Sequence, residues 1–322
     1  MHHGTILFLI LLCFSVSSFA STGDEEPNFL SCVNLCSHSQ CPTKLPLQLQ
    51  LFFWSCKENC QYECMHAITD KAIEHGEKVL QYYGKWPFYR WLGIQEPASV
   101  LFSIGNGWVH YHYYRLLKRR IPSNYYLKTA ILMYAMVGVN AWVWSTVFHC
   151  RDNAWTEKLD YFSAGLLILY SFYYAVRRIF YLKKTPWLLV TGCVICYLMH
   201  IMYLSFIRFD YDYNMISSVV VGVFQLVLWM GWSAWQYLRP QNEWTSRSGF
   251  AYMAFVSVVG VGAAMALELL DFPPHARLLD AHSFWHLSTI PLMVVWYRFV
   301  LADVKHEIKH YKSSVTAFSI PK

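Results

Sequence analysis

The sequence predicts an all-α protein in which a small disulfide-rich lumenal domain precedes a bundle of seven transmembrane helices. Of 322 residues, 56% are hydrophobic and only 14% are charged, whereas soluble domains carry roughly a quarter charged residues. Seven apolar runs are each long enough to span a bilayer. Six of the ten cysteines crowd between residues 32 and 64, directly after an apolar N-terminus.

Residues 1–20 are predicted to be a cleaved signal peptide. The apolar stretch from Ile6 to Val16 leads into small residues around Ala20, a pattern typical of a cleavage site. An uncleaved anchor helix is the alternative, but this stretch is too short to cross about 30 Å of hydrocarbon at 1.5 Å per residue. We therefore expect the chain to enter the secretory pathway.

Residues 21–96 are predicted to form the lumenal cysteine-rich domain and a connector. The cysteines stand in CVNLC, at Cys41 and in CKENCQYEC. An even number of closely spaced cysteines behind a signal peptide indicates three disulfides in an oxidising lumen, with a pairing that the sequence does not determine. A zinc knuckle is the alternative, but it requires paired CxxC spacings that this segment lacks.

Residues 97–302 are predicted to be the seven-helix domain, and residues 303–322 a cytosolic tail. The basic residues cluster at 118–120, 177–184, Arg239 with Arg247, and the tail, which all fall on one side of a seven-span model. The N-terminus is therefore predicted to be lumenal. The net charge of +6 follows this topology, so no nucleic-acid partner is expected. The predicted spans are 97–114, 127–148, 160–176, 186–206, 215–236, 249–269 and 283–302.

Five polar residues are predicted to meet at the lumenal ends of three spans. Ser145 and His149 are spaced i, i+4, as are His282 and His286, so each pair shares one helix face. Asp160 stands at the predicted start of the third span. Ionisable groups inside a membrane are costly and so are candidates for a functional site. In contrast, His110 and His112 are expected to be polar packing near the lipid boundary.

Three histidines with an open position are typical of catalytic zinc sites. His149, His282 and His286 are therefore the predicted metal ligands, since zinc supplies a water with a pKa near 7. Asp160 is predicted to accept the proton of that water, and the Ser145 hydroxyl to donate a hydrogen bond to the developing oxyanion. A serine-hydrolase triad of Ser145, His149 and Asp160 is the alternative, but it leaves the other two histidines without a role.

These motifs carry a family resemblance. SxxxH at 145–149, Asp160 and HxxxH at 282–286 resemble the motif set of the seven-span hydrolase superfamily that includes the alkaline ceramidases and the progestin and adiponectin receptors. Within it, the chain is similar to the Per1-like family from about residue 28 to residue 302. The segments that carry this likeness are the lumenal cysteines, GKWPF at 84–88, QEPAS at 95–99, NAWVWSTVFH at 140–149, TEKLDYF at 156–162, IRFDYDYN at 207–214, LELLDFPP at 267–274 and LDAHSFWHLSTIP at 279–291.

The resemblance implies a Golgi acyl hydrolase, present in part in the endoplasmic reticulum, that removes the sn-2 unsaturated fatty acid from the phosphatidylinositol of GPI-anchored proteins. It also implies zinc on the three histidines. Glu96 is the candidate for a second metal site that would bind calcium. Glu268 and Asp271, near the lumenal end of the sixth span, are either hydrogen-bond partners for histidine N–H groups or structural caps, and the structural role is the one expected.

Three other functions stay open at this point. A ceramidase-like amidase would use the same chemistry on an amide bond. A signalling receptor of the same superfamily would keep the metal as a structural element, although the chain has no long cytosolic effector region. A non-catalytic helper in the processing of GPI-anchored proteins is the third.

Overall fold

The structure is a computed structural model that describes residues 21–41, 44–238 and 249–318, the last of these without side chains beyond residue 309. The predicted signal peptide and the predicted basic loop at Arg239 and Arg247 lie outside the described residues. The prediction of an all-α fold is confirmed, since the described residues form helices and no strand beyond isolated bridges. The chain divides into two compact units between Phe88 and Tyr89.

The first unit contains α1 (Pro27–Gln40), α2 (Leu47–Leu51) and α3 (Cys56–Glu74). The prediction of three disulfides is confirmed, with the pairs Cys32–Cys64, Cys36–Cys60 and Cys41–Cys56. The first cysteine of this set pairs with the last, the second with the fifth and the third with the fourth, so α1 and α3 run antiparallel. All six thiols are consumed by these disulfides, which excludes the zinc knuckle.

The second unit contains the long helices, which confirm the predicted bundle. Their bounds are α4 (Pro97–Arg120), α5 (Lys128–Cys150), α6 (Ala154–Ile179), α7 (Trp187–Met202), α8 (Tyr211–Leu238), α9 (Ala251–Leu270) and α10 (Ala281–Phe318). A π-helical segment, Tyr203–Ile207, extends α7. Six of these helices, all but α4, are long and apolar enough to cross a membrane. The chain is therefore a multi-pass membrane protein.

Several helices begin or end outside the apolar runs. The run that starts at residue 160 belongs to a helix that begins at Ala154, because Asn153 and Thr156 form a reciprocal capping box there. Similarly, α4 continues through the three basic residues to Arg120. Hydropathy marks the apolar part of these helices, whereas the start of α6 is set by its capping box.

Helix contacts close a ring in the order α4, α5, α6, α8, α9, α10 and back to α4, while α7 packs on α6 from outside. None of the residues of α7 is buried, which fits a helix that faces lipid. A large aromatic cluster fills the ring toward the C-terminal end of α6 and the middle of α10. Its buried aromatic members include Tyr174, Trp229, Trp296, Tyr297 and Phe299.

Candidate metal centre

Four helix ends meet at the opposite end of the bundle from the aromatic cluster. They are the N-termini of α4 and α10 and the C-termini of α5 and α9. Because contacting helices in this ring run mostly antiparallel, residues far apart in sequence reach the same depth. His149 comes from the last turn of α5, and His282 and His286 come from the first turns of α10.

The three predicted histidines converge. One potential ligand nitrogen from each lies within 4.8 Å of the other two. Nε2 of His149 and Nε2 of His282 are 3.3 Å apart, and the rings of His282 and His286 have centroids 4.5 Å apart. His149 and His286 are almost completely buried. This group can hold a metal ion.

A separate partner holds the Nδ1 atom of each histidine: one is the residue before α4, one lies in α4 and one in α9. His149 Nδ1 lies 2.7 Å from Glu96 Oε2, and His282 Nδ1 lies 2.5 Å from Glu268 Oε2. Nδ1 of His286 lies 2.9 Å from Ser103 Oγ. A carboxylate accepts hydrogen bonds, so Nδ1 donates in the first two rings, and the neutral form of each ring then has its lone pair on Nε2.

Ser145 joins this group through Ser103. The two hydroxyl oxygens are 3.1 Å apart, and both side chains are buried. Ser145 also lies one turn before His149 on the same face of α5. Ser145 is therefore linked to His286 through Ser103, while the ring of its predicted partner His149 has its centroid 5.0 Å from that of His286.

Asn106 and two tryptophans complete the surroundings of His286. The Asn106 amide donates to the backbone oxygen of His286 at 2.8 Å and accepts from the Thr289 hydroxyl. The rings of Trp142 and Trp285 have centroids 5.1 Å and 4.9 Å from that of His286. These contacts hold α4 and α10 in register around the histidines.

The comparisons with known proteins give the family of this chain. The family model described as Per1-like family matches residues 46–304, which is most of the chain and includes every residue of the centre. The chain belongs to the Per1-like family.

Relatives of this Per1-like chain match over nearly their full lengths. The protein "Protein PER1 homolog" of Schizosaccharomyces pombe is 40% identical over 97% of this chain and 96% of the relative. Two relatives carry the name "GPI-specific phospholipase A2-like PGAP3": the Xenopus laevis protein is 38% identical and the Homo sapiens protein 35% identical. Each covers 94% of this chain, which in turn covers 96% and 95% of them. No solved structure matches the chain.

Asp160 is the fifth predicted site residue in this Per1-like structure. It is half-buried in the second turn of α6. Among the described residues, the group of potential ligand atoms within 4.8 Å contains the three histidines and not Asp160. The part predicted for Asp160 in catalysis stays a prediction.

The expectation for His110 was wrong. His110 is completely buried rather than at the lipid boundary, and its Nδ1 atom lies 2.7 Å from the Tyr297 hydroxyl. His112, two residues on, is exposed. A Cβ atom at Gly138 of α5 would overlap the His110 ring, so the missing side chain at Gly138 makes room for it.

The sequence analysis missed Ser103 and the contact of Glu96 with His149, and the structural role expected for Glu268 was wrong, because this carboxylate holds the Nδ1 atom of His282. Glu96, Ser99, Ser103, Asn106 and His110 follow one another at spacings of three and four residues, and all are buried. A polar stripe at this period marks the face of a membrane helix that points into the bundle. That signal was available in the sequence, and it also explains why α4 is the least apolar helix of the ring.

Proposed function

We propose that this protein is a zinc-dependent acyl hydrolase that removes the sn-2 unsaturated fatty acid from the phosphatidylinositol of GPI-anchored proteins. The observation that carries the proposal is the convergence of three histidines, two of them buried, each with its Nδ1 atom held by a separate partner. The names of the relatives, which include "GPI-specific phospholipase A2-like", support the choice of substrate.

The donor set of the centre fits zinc. Three imidazoles are a common ligand set of catalytic zinc, and two nitrogens bound at 2.0–2.1 Å in tetrahedral geometry lie about 3.3–3.4 Å apart. The Nε2 atoms of His149 and His282 are separated by 3.3 Å. His149, His282 and His286 would hold the ion. When bound, zinc supplies a Lewis acid and a water of lowered pKa.

The carboxylates of Glu96 and Glu268 fix the orientation of two ligands. Each accepts the Nδ1 hydrogen of its histidine, which keeps the Nε2 lone pair directed into the centre and raises the basicity of the ring. This favours a positioning role for Glu96. A second metal site for calcium at Glu96 stays a prediction.

Ser145 and Asp160 supply the remaining chemistry in the proposal. The Ser145 hydroxyl donates a hydrogen bond to the carbonyl oxygen of the ester as negative charge develops on it. Asp160 accepts a proton from the attacking water and returns it to the departing alcohol. Asp160→Asn should therefore lower kcat while the protein keeps its zinc.

The position of the centre suits a lipid ester. The ester carbonyls of a diacyl lipid lie just below the head group, near the hydrocarbon boundary. The centre lies at the ends of four helices, three of which are long and apolar enough to cross a membrane. With the lumenal topology predicted from the basic clusters, these ends face the lumen, where the glycan and protein of a GPI anchor lie. A Golgi location is part of the proposal.

Metal analysis tests the zinc part of the proposal. We expect one zinc per wild-type protein purified in detergent, and a loss of zinc and of activity in His282→Ala. His112→Ala is the matched control, because this exposed histidine lies outside the centre. Wild-type protein without a bound metal, or full activity of His282→Ala on GPI lipids, would contradict the proposal.

Lipid analysis of cells tests the substrate. Cells that lack the protein should keep unsaturated sn-2 chains on their GPI anchors, and the wild-type gene should restore the remodelled, saturated chains. Saturated chains in the cells that lack the protein would exclude GPI remodelling as the function. An effect on ceramide with unchanged GPI anchors would favour the amidase.

A further inference from the structure

Ser103 stands between a predicted metal ligand and the predicted oxyanion donor. Its hydroxyl oxygen is 2.9 Å from His286 Nδ1 and 3.1 Å from Ser145 Oγ. Ser103 is completely buried in α4, whereas its two partners come from α10 and α5. A single hydroxyl thus joins three helices at the centre.

The chemistry of these three groups gives the chain of hydrogen bonds a direction. When Nε2 of His286 binds a metal, Nδ1 of the neutral ring carries the hydrogen and can only donate. Ser103 Oγ must then accept from His286. The single hydrogen of Ser103 is left to donate to Ser145 Oγ.

We propose that Ser103 is a positioning residue that turns Ser145 into a hydrogen-bond donor when the metal is bound. Ser145 Oγ accepts from Ser103, so its own hydrogen points away from Ser103 and is available for the substrate carbonyl. With His286 in the other tautomer, Nδ1 accepts, Ser103 donates to His286, and Ser145 donates to Ser103 instead. Binding of a metal to His286 therefore frees the Ser145 hydroxyl to donate a hydrogen bond to the substrate.

This inference rests on the proposed function, because it assigns the bound metal and the oxyanion to the same centre. It extends that function to a residue outside the SxxxH and HxxxH motifs. Loss of the Ser103 hydroxyl removes two interactions: the acceptor for His286 Nδ1 and the donor to Ser145 Oγ. The first affects metal affinity, and the second affects the transition state.

The test uses full-length protein in lipid nanodiscs, with Ser103→Ala, Ser145→Ala and the double variant. Zinc affinity is measured by competition with a chromophoric chelator. At saturating zinc, kcat and KM are measured from release of a labelled sn-2 chain from a GPI lipid. Ser171→Ala is the matched control: Ser171 is also buried in a membrane helix, but its hydroxyl donates to the Leu167 backbone oxygen.

We expect Ser103→Ala to lower zinc affinity about 10-fold, at the lower end of the range for outer partners of metal ligands. Ser145→Ala should keep wild-type zinc affinity, since its contact is with Ser103 and not with a histidine. Both variants should lower kcat, Ser145→Ala by about 100-fold, with little change in KM. The double variant should be no slower than Ser145→Ala alone, because Ser103 acts on the reaction through Ser145. Ser103→Thr, which keeps a hydroxyl, should recover the zinc affinity.

Two results would overturn the inference. One is wild-type zinc affinity and kcat in Ser103→Ala, and the other is a double variant in which the two losses of kcat multiply. Wild-type protein that binds no zinc or releases no fatty acid would overturn the proposed function instead. The zinc measurement tests the contact between Ser103 and His286 even in protein without activity, so the two failures are distinguishable.

Discussion

Single residues decide how well the centre can hold a metal. The three histidines come from two helices, but their ring orientations depend on Glu96, Ser103 and Glu268, which lie outside the histidine group. Glu268 also accepts a hydrogen bond from the Tyr211 hydroxyl at 3.2 Å, which ties α8 to the same carboxylate. The outer partners should therefore matter nearly as much as the ligands.

Glu268→Ala should weaken zinc binding by about 10-fold to 100-fold, because His282 loses the acceptor that fixes its tautomer. Glu268→Gln keeps a hydrogen-bond acceptor without the charge, so its affinity should fall between wild type and Glu268→Ala. Chelator competition on purified protein measures this order. Glu77→Ala, at an exposed position of the first unit, is the control. Equal zinc affinity in Glu268→Ala and wild type would show that the carboxylate does not support the ligand.

Gly138→Ala should destabilise the protein, because the added Cβ atom would overlap the buried His110 ring. Overpacking of a close-packed interior costs about 1–3 kcal/mol. Gly222→Ala in α8 is the matched control, since a Cβ atom there would meet nothing within 4 Å. Thermal unfolding in detergent should show a lower Tm for Gly138→Ala alone. Similar Tm values for the two variants would mean that His110 has another position available.

At the scale of helices, a buried ion pair joins α6 to α10 at the end away from the centre. Arg178 Nε and Nη2 each lie 2.6 Å from an oxygen of Asp303. Both side chains are almost completely buried, and Arg178 Nη1 lies 3.5 Å from Glu307. The pair fixes the position of α10 along α6. Because His282 and His286 lie on the same helix α10, the pair also fixes their depth in the bundle.

Asp303→Ala should cost about 3–5 kcal/mol of stability, because it leaves the Arg178 guanidinium buried without its bidentate partner. The double variant Arg178→Met with Asp303→Leu should recover much of that loss, since it removes both charges from the interior. Thermal unfolding of the three proteins measures the difference. A double variant less stable than Asp303→Ala would contradict this explanation.

Sequence reasoning predicted elements better than contacts between them. The apolar runs and the basic clusters predicted the positions and orientation of the spans. The i, i+4 spacing predicted that Ser145 and His149 share one face of their helix, and that His282 and His286 share one face of another. Ser103 could not be paired with His286 from the sequence, since they are 183 residues apart and their contact depends on how α4 packs against α10. The disulfide pairing likewise depends on the antiparallel arrangement of α1 and α3.

At the scale of the whole molecule, the seven-helix unit has two different ends. One end is filled by the aromatic cluster and the Arg178 ion pair, and the other holds the polar centre. The basic clusters predict that the filled end faces the cytosol. Catalysis would then be confined to the lumenal leaflet, where GPI anchors are.

Acceptor sequons inserted in tags test this topology, because the chain has no N-x-Ser/Thr sequence of its own. A tag at residues 42–46 of the cysteine-rich unit should be glycosylated, and a tag at residues 181–186 should not. The glycosidase-sensitive mass shift on a gel is the measurement. Glycosylation of the second tag would reverse the predicted orientation and place the centre at the cytosolic face.

The most direct test of the central claim is the release of fatty acid by the purified protein. The substrate is a GPI lipid with a labelled unsaturated chain at sn-2, presented in nanodiscs. Release is measured with the protein as purified, after its zinc has been removed, and after zinc has been added back. We predict release of the sn-2 chain that stops when zinc is removed and returns when it is added back, with no release by His282→Ala. Absence of release by the wild type, or release that continues without zinc and in His282→Ala, would contradict the account.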